Sequence, residues 1–100
     1  MNAQPVTFVN ILDVEPDRQQ ELIDLLSRGI EDVIRHRPGF ISLTLLASLD
    51  GRRVINLARW ASADDVRATQ GDPRAADHAA RAAAIATAMP GVFRVVTETR

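Results

Sequence analysis

The chain has 100 residues, of which 46% are hydrophobic and 25% charged, as expected for one small globular domain spanning residues 1–100. Its twelve basic residues, all arginine, and its thirteen acidic residues are interleaved, which argues against nucleic-acid binding. The absence of cysteine excludes disulfides, a thiolate nucleophile and a cysteine-ligated metal. No stretch approaches about 18 apolar residues and the start lacks a signal-peptide pattern, so we expect a cytoplasmic protein without a membrane partner.

Prolines divide the first half of the chain into segments with different hydrophobic periods. The β-branched residues at 6–14 predict a first strand, and apolar residues at helical spacing predict a long amphipathic helix over 17–36. Residues 40–48 and 53–60 have the composition of strands. Asp50-Gly51 between them predicts a hairpin turn.

The second half of the chain is predicted to be mainly helical. Ser62 is a predicted N-cap, followed by acidic residues in the first turn of a short helix that runs to about Ala68. The alanine-rich segment from residue 72 or 73 to Met89 predicts another helix, which Pro90-Gly91 ends, and residues 92–99 predict the last strand. The order β-α-β-β-α-β predicts an α+β, ferredoxin-like fold with helices on one face of a four-stranded antiparallel sheet.

Both faces of this sheet are predicted to be largely apolar. The odd-numbered strand residues form the more uniform face: Val9, Ile11, Ile41, Leu43, Leu45, Ala47, Ile55, Leu57, Phe93 and Val95. Helices cover only one face, so a second apolar face needs another cover. We therefore expect a two-fold homodimer in which the odd-numbered faces of two copies pack together.

Polar residues interrupt the even-numbered face, which would then lie beneath the helices: Asn10, Ser42, Thr44, Asn56 and Trp60. A buried amide without a partner costs about 1–3 kcal/mol, so a plain core does not need these groups. Ala58 and the alanine-rich helix leave space above the sheet. The sequence therefore predicts a cavity with a few convergent polar groups between sheet and helices.

Three stretches carry a resemblance to a known family: VTFVNILDVEP at the start, RPGFISLTLLASLDG in the middle and VINLARWASADDVRA after it. On these stretches the chain resembles the antibiotic biosynthesis monooxygenase domain over nearly its whole length. The resemblance implies a dimeric α+β barrel. In the quinone-forming members an Asn and a Trp four residues apart line the pocket, and Asn56 and Trp60 match them. Arg81 is the nearest match to an Arg on the later helix, whereas Val66 replaces a Tyr six residues past the Trp.

The chemistry that suits these residues is predicted to need neither a metal nor another cofactor. No cluster of His and carboxylates has metal-ligand spacing, and no glycine-rich loop follows a strand. An electron-rich substrate that forms a carbanion can itself transfer an electron to dioxygen. The protein then has to hold the substrate, stabilise its enolate and exclude water. An amide, an indole and a guanidinium offer donors, a stacking surface and a fixed charge.

The predicted function is cofactor-independent monooxygenation, in which dioxygen oxidises a small anthrone-like or polyketide-like aromatic substrate to a quinone. The predicted catalytic residues are Asn56, Trp60 and Arg81. The predicted substrate-binding residues are Asn10, Ser42, Thr44 and His78.

Two other functions stay open from the sequence. Haem-degrading relatives of this fold use an Asn on the first strand, a His on the later helix and a Trp on the short helix. Asn10 and His78 fall near the first two positions, but Thr69 stands near the third. The other alternative is a non-catalytic dimeric module for ligand binding or stress response, because the Tyr and a clear general base are missing.

Overall fold

The computed structural model describes residues 4–100 and contains a four-stranded antiparallel sheet. Its strands are β1 (Val6–Val14), β2 (Phe40–Ala47), β3 (Arg53–Trp60) and β4 (Ala86–Phe93). Its helices are α1 (Gln19–Asp32), α2 (Ala63–Gln70) and α3 (Pro73–Ala83). The strand order β2-β3-β1-β4 confirms the predicted α+β, ferredoxin-like fold.

The core between α1 and the sheet rests on three fully buried side chains. Leu22 of α1 packs with Leu12 of β1 and Val54 of β3, and Ala82 of α3 joins the same cluster. Burial of each large aliphatic side chain stabilises the fold by roughly 1.5–3 kcal/mol. This cluster fixes the height at which α1 and α3 lie above the sheet. Within residues 4–100, no helix is both long and apolar enough to cross a membrane.

The predicted helix over 17–36 is broken near both ends. Single turns of 3-10 helix at Pro16–Arg18 and Ile34–His36 flank α1. Val33 leaves the helical region, with φ −129° and ψ −62°, and its side chain is buried. The chain therefore turns earlier than hydrophobic periodicity alone predicts.

A β-bulge in β2 reverses the predicted faces of that strand. Phe40 pairs with Trp60, but the next pairing joins Ser42 to Arg59, so one extra residue lies between them. An extra residue moves every later side chain to the opposite face. Leu43 and Leu45 consequently face the helices, opposite Ala58 and Asn56. The prediction that they belong to the open face is wrong.

The alanine-rich segment does not stay helical to Met89 as predicted. α3 ends at Ala83, and β4 pairs with β1 from Val14↔Ala86 to Thr7↔Phe93. Alanine favours helices, but this pairing satisfies backbone groups of β1 that would otherwise lack partners, so tertiary structure overrides local propensity. Pro90 is tolerated because β4 is an edge strand. The predicted last strand over 92–99 is placed too late, since only Val92 and Phe93 belong to β4 and residues 94–100 lie outside the sheet.

The sheet face opposite the helices is open and apolar. Four of its large side chains are exposed: Leu46, Leu57, Met89 and Phe93, at 47%, 39%, 69% and 55%. On β1, β3 and β4 this face carries the odd-numbered residues, as predicted. On β2 it carries the even-numbered ones because of the bulge.

Candidate active site

A cavity of about 360 Å³ lies between the helices and the sheet. Helix α3 leaves this space because small residues form its inner wall: Ala75, Ala76, Ala79, Ala82 and Ala83. The polar residues of the lining are Asn10, Asn56, Trp60, Thr69, Gln70 and His78. An apolar cavity of this size with a few convergent polar groups is typical of a small-molecule site.

Asn10 and Asn56 form the polar centre of the sheet wall. They are direct partners in the pairing of β1 with β3, the two central strands, so their side chains project side by side into the cavity. Both Oδ1 atoms are buried and lack a hydrogen-bond partner among residues 4–100. A buried acceptor without a partner costs about 1–3 kcal/mol. Two adjacent acceptors of this kind indicate a binding place for a ligand that donates hydrogen bonds.

His78 extends from α3 toward the same cavity, and Gly29 of α1 makes room for its ring. A Cβ atom at residue 29 would lie 2.9 Å from Cγ and 3.1 Å from Nδ1 of His78. Glycine in a helix interior is unfavourable by about 1 kcal/mol relative to alanine, so this close approach has an energetic cost. The Nδ1 atom of His78 is buried and, in the described part of the chain, has no hydrogen-bond partner.

Trp60 closes the cavity at the end of β3 and also anchors the core. It is only 3% exposed, and Phe40 meets it edge to face, with ring centroids 5.6 Å apart. Val66 of α2 is equally buried in the same cluster and lines the cavity. An apolar side chain therefore occupies the position where the resemblance leads one to expect a tyrosine hydroxyl.

A cap and a close backbone approach define the start of α2. Ser62 caps this helix as predicted, its Oγ accepting from the backbone N–H of Asp65 at 3.1 Å. Gly39, in the left-handed region at φ 86°, lies against the Asp65 carboxylate, where any Cβ would overlap. These contacts fix the inner face of α2.

A partly buried ion pair joins the segment before β2 to the start of α3. Arg37 donates to Thr69 Oγ1 at 3.4 Å and pairs with Asp72 at 3.0 Å. Asp72 also caps α3, accepting from the backbone N–H groups of Ala75 and Arg74. These backbone hydrogen bonds, with the charge of Arg37, lower the pKa of the Asp72 carboxyl below its ordinary value.

Three predicted site residues do not reach the cavity. Ser42 and Thr44 lie on the open face of β2, because the bulge displaces them from the helix side. Arg81 lies beside the cavity-facing positions of α3. It points to solvent, where it pairs with Asp77 at 3.0 Å. The structure brings together Asn10, Asn56, Trp60 and His78.

Sequence reasoning missed Gly29, Thr69 and Gln70. A glycine inside an amphipathic helix was the available signal for Gly29, since that position has a poor helix former without a turn to explain it. Thr69 and Gln70 occupy the last turn of α2, whose cavity-facing side depends on how that helix packs. No local pattern reveals such packing.

Known proteins share both the sequence pattern and the fold. Tetracenomycin-F1 monooxygenase from Streptomyces glaucescens is 49% identical over 72 residues, which cover 72% of this chain and 64% of that protein. The matched region thus spans less than two thirds of the relative's length. SnoaB, a cofactor-independent oxygenase from Streptomyces nogalater, was solved as an asparagine-to-alanine variant. It is 28% identical with a TM-score of 0.87, covering 96% of this chain and 97% of SnoaB.

A more distant structure supports the fold alone. Rv0793 from Mycobacterium tuberculosis has a TM-score of 0.81 at 23% identity, covering 97% of this chain and all of that one (100%). The model of the family described as antibiotic biosynthesis monooxygenase matches residues 5–81, a range that contains every polar residue of the cavity lining. The chain belongs to the antibiotic biosynthesis monooxygenase family.

Proposed function

We propose that this chain is a monooxygenase that uses dioxygen, without a bound cofactor, to oxidise a planar polyketide-type aromatic to a quinone. The unpartnered amide oxygens of Asn10 and Asn56 in a largely apolar cavity are the observation that carries this proposal. Apolar walls suit a fused-ring skeleton, and the amides suit its few oxygen atoms. Tetracenomycin-F1 monooxygenase and the cofactor-independent oxygenase SnoaB support the same chemistry.

The proposed reaction converts an acidic ring methylene into a carbonyl. Loss of one proton leaves a carbanion that is stabilised as the enolate of the neighbouring ring carbonyl. One-electron transfer to dioxygen and recombination form a carbon–oxygen bond and a peroxide. Loss of the second proton and cleavage of the oxygen–oxygen bond give the quinone carbonyl and water. One oxygen atom enters the product and the other leaves as water, so the substrate supplies all the electrons.

The cavity residues divide this work by position. Each Asn amide carries N–H donors for an enolate oxygen and an acceptor for a phenol hydroxyl. Their hydrogen bonds strengthen as negative charge develops, which lowers the barrier. Trp60 lines the cavity, where its indole gives the substrate rings an aromatic contact. Val66 adds no donor, so the two amides carry most of the oxygen recognition.

We also propose that the chain acts as a homodimer. The open sheet face exposes Leu46, Leu57, Met89 and Phe93 together, and an apolar patch of this kind favours a protein cover. A second copy offers the same apolar surface, so two-fold packing covers both. A cytoplasmic location stays a prediction from the sequence.

Oxygen consumption with a dihydroxyanthrone tests the proposed function. The wild-type protein should consume one dioxygen per quinone formed, and labelled dioxygen should place one labelled atom in the product. Metal analysis and an absorbance spectrum of the purified protein check that no metal, flavin or haem is present in stoichiometric amount.

Other results distinguish the alternatives. Ligand binding that raises the melting temperature without oxygen consumption points to a non-catalytic module. A saturable haem spectrum at one haem per chain, with no quinone formed, points to haem binding instead.

A further inference from the structure

His78 is the sole imidazole among the described side chains that line the cavity. The other polar groups there are the amides of Asn10, Asn56 and Gln70, the Thr69 hydroxyl and the Trp60 indole. None of these accepts a proton to become a stable cation in water, whereas a neutral imidazole has one ring nitrogen that accepts a proton. A reaction that begins by removing a proton therefore has one candidate base in this cavity.

The position of His78 fits this role. Its Nδ1 atom is buried and has no partner in the described part of the chain. The ring packs against Gly29, and residue 29 has no room for a larger side chain. A cavity-lining imidazole whose nitrogen has no partner is a candidate to accept a proton from a ligand.

The charged groups near His78 are engaged elsewhere. On its own helix, Asp77 pairs with Arg81, and Arg74 donates to the backbone carbonyl of Asp32 at 2.8 Å. The parts of α1, α2 and the sheet that line the cavity contribute no charged side chain. No carboxylate among the described lining residues competes with His78 for a substrate proton.

We propose that His78 is the catalytic base of the reaction, an inference that rests on the proposed monooxygenase function. His78 takes a proton from the ring methylene, and the electron pair of that carbon–hydrogen bond passes into the enolate that Asn10 and Asn56 stabilise. After the carbanion has combined with dioxygen, the imidazolium returns its proton to the peroxide. His78 then takes the second proton from the same carbon as the oxygen–oxygen bond breaks. The leaving hydroxide recovers that proton as water, and the imidazole is neutral again.

The geometry separates the two tasks onto two walls. His78 belongs to α3, and the amides belong to β1 and β3. A planar substrate between them presents its oxygen atoms to the sheet and its acidic carbon to the helix. General acid–base catalysis of this kind contributes about 100- to 10,000-fold to a rate.

Hydrogen exchange without oxygen isolates this step. Under nitrogen, wild-type protein in deuterium oxide should speed exchange of the methylene hydrogens of a dihydroxyanthrone above the uncatalysed rate. His78→Gln should lower the catalysed exchange by about 100-fold or more while the Kd changes little. His36→Gln is the matched control, because His36 is exposed and lies outside the cavity lining.

A second variant guards against loss of folding. His78→Ala leaves a gap beside Gly29, and added imidazole should restore exchange and oxygen consumption to this variant. The same imidazole should leave the rates of His36→Gln unchanged. Unfolding curves compare the stability of all variants.

The outcomes separate this inference from the proposed function. If the wild type oxidises the anthrone and the folded His78→Gln variant still exchanges hydrogen at the wild-type rate, the proposed role of His78 is overturned. The proposed monooxygenase function then stands without it. A wild type that neither exchanges nor oxidises overturns the proposed function and the base together.

Discussion

Asn10 and Asn56 lie directly opposite each other on the two central strands, and both amide oxygens are buried in the cavity without a partner. The neighbouring pair on the same face, Leu12 and Val54, is fully buried and apolar. The sheet therefore changes from a plain core to a polar site within one repeat of its pleat. The proposed function accounts for these amides, since it assigns their unpaired oxygen atoms to a ligand.

Replacement of Asn56 by alanine should impair turnover more than binding. Its amide is expected to bond the enolate oxygen most strongly when the negative charge develops, so kcat should fall with little change in Kd. Removal of an oxyanion donor typically costs about 2.7–4 kcal/mol, or about 100- to 1000-fold in kcat. Steady-state oxygen consumption and ligand titration measure the two effects. A stable variant with unchanged oxygen consumption would show that Asn56 is not part of the catalytic apparatus.

Replacement of Asn10 by leucine should raise stability while it lowers activity. The change removes a buried oxygen without a partner and fills a similar volume with apolar atoms. We expect the free energy of unfolding to rise by about 1 kcal/mol, since an unsatisfied buried group costs about 1–3 kcal/mol. Urea unfolding measures this. Leu12→Asn, the reverse change at a fully buried position of the same strand, should destabilise the fold.

The sequence was sufficient for the element order and for the central polar pair. β1, β3 and the Asn56–Trp60 spacing follow simple alternation, and neither strand contains an irregularity. Ser42 and Thr44 were misplaced because a single extra residue in β2 reverses the face, and no turn residue marks that bulge.

Two other errors have a tertiary cause. Residues 86–89 continue the alanine-rich segment that was predicted to be helical, but they are needed as the neighbour of β1. Arg81 is adjacent in sequence to Ala82, which faces the cavity. Successive residues of a helix point in different directions, so the Arg81 side chain faces solvent. Hydrophobic periodicity shows that α3 has one buried face, but it does not fix which residues lie at the border of that face.

Acid should destabilise the fold partly through Asp72. The backbone N–H groups of Ala75 and Arg74 lower its pKa in the folded state, so its contribution is present above the unfolded pKa and is lost as pH falls below about 4. Asp72→Asn keeps a capping side chain but cannot titrate. Its melting temperature should therefore fall less between pH 7 and pH 3 than that of the wild type. Asp17→Asn, at an exposed position that caps no helix, should retain the wild-type acid sensitivity.

The contact between Gly29 and His78 can be measured in a double-mutant cycle. The effect of Gly29→Ala on the free energy of unfolding should change sign when His78 is replaced by alanine. In the wild type, Gly29→Ala places a Cβ 2.9 Å from His78 Cγ, and overpacking of this kind costs about 1–3 kcal/mol. In the His78→Ala background the ring is gone, so the same change should stabilise α1 by up to about 1 kcal/mol through helix propensity. Unfolding free energies of the four proteins measure the coupling. Equal effects of Gly29→Ala in both backgrounds would mean that the ring does not pack on α1.

The proposed dimer predicts different consequences for three leucine-to-lysine substitutions. Leu46 lies on the open sheet face at 47% exposure, so Leu46→Lys would bury a charge in the proposed interface and should give monomers by light scattering. Leu49 lies beyond β2, near the hairpin turn, and is fully exposed, so Leu49→Lys should leave the dimer intact. Leu43 faces the helices next to Trp60, so Leu43→Lys should lower the melting temperature through the core. A Leu46→Lys protein that still forms the wild-type dimer would place the interface on another surface.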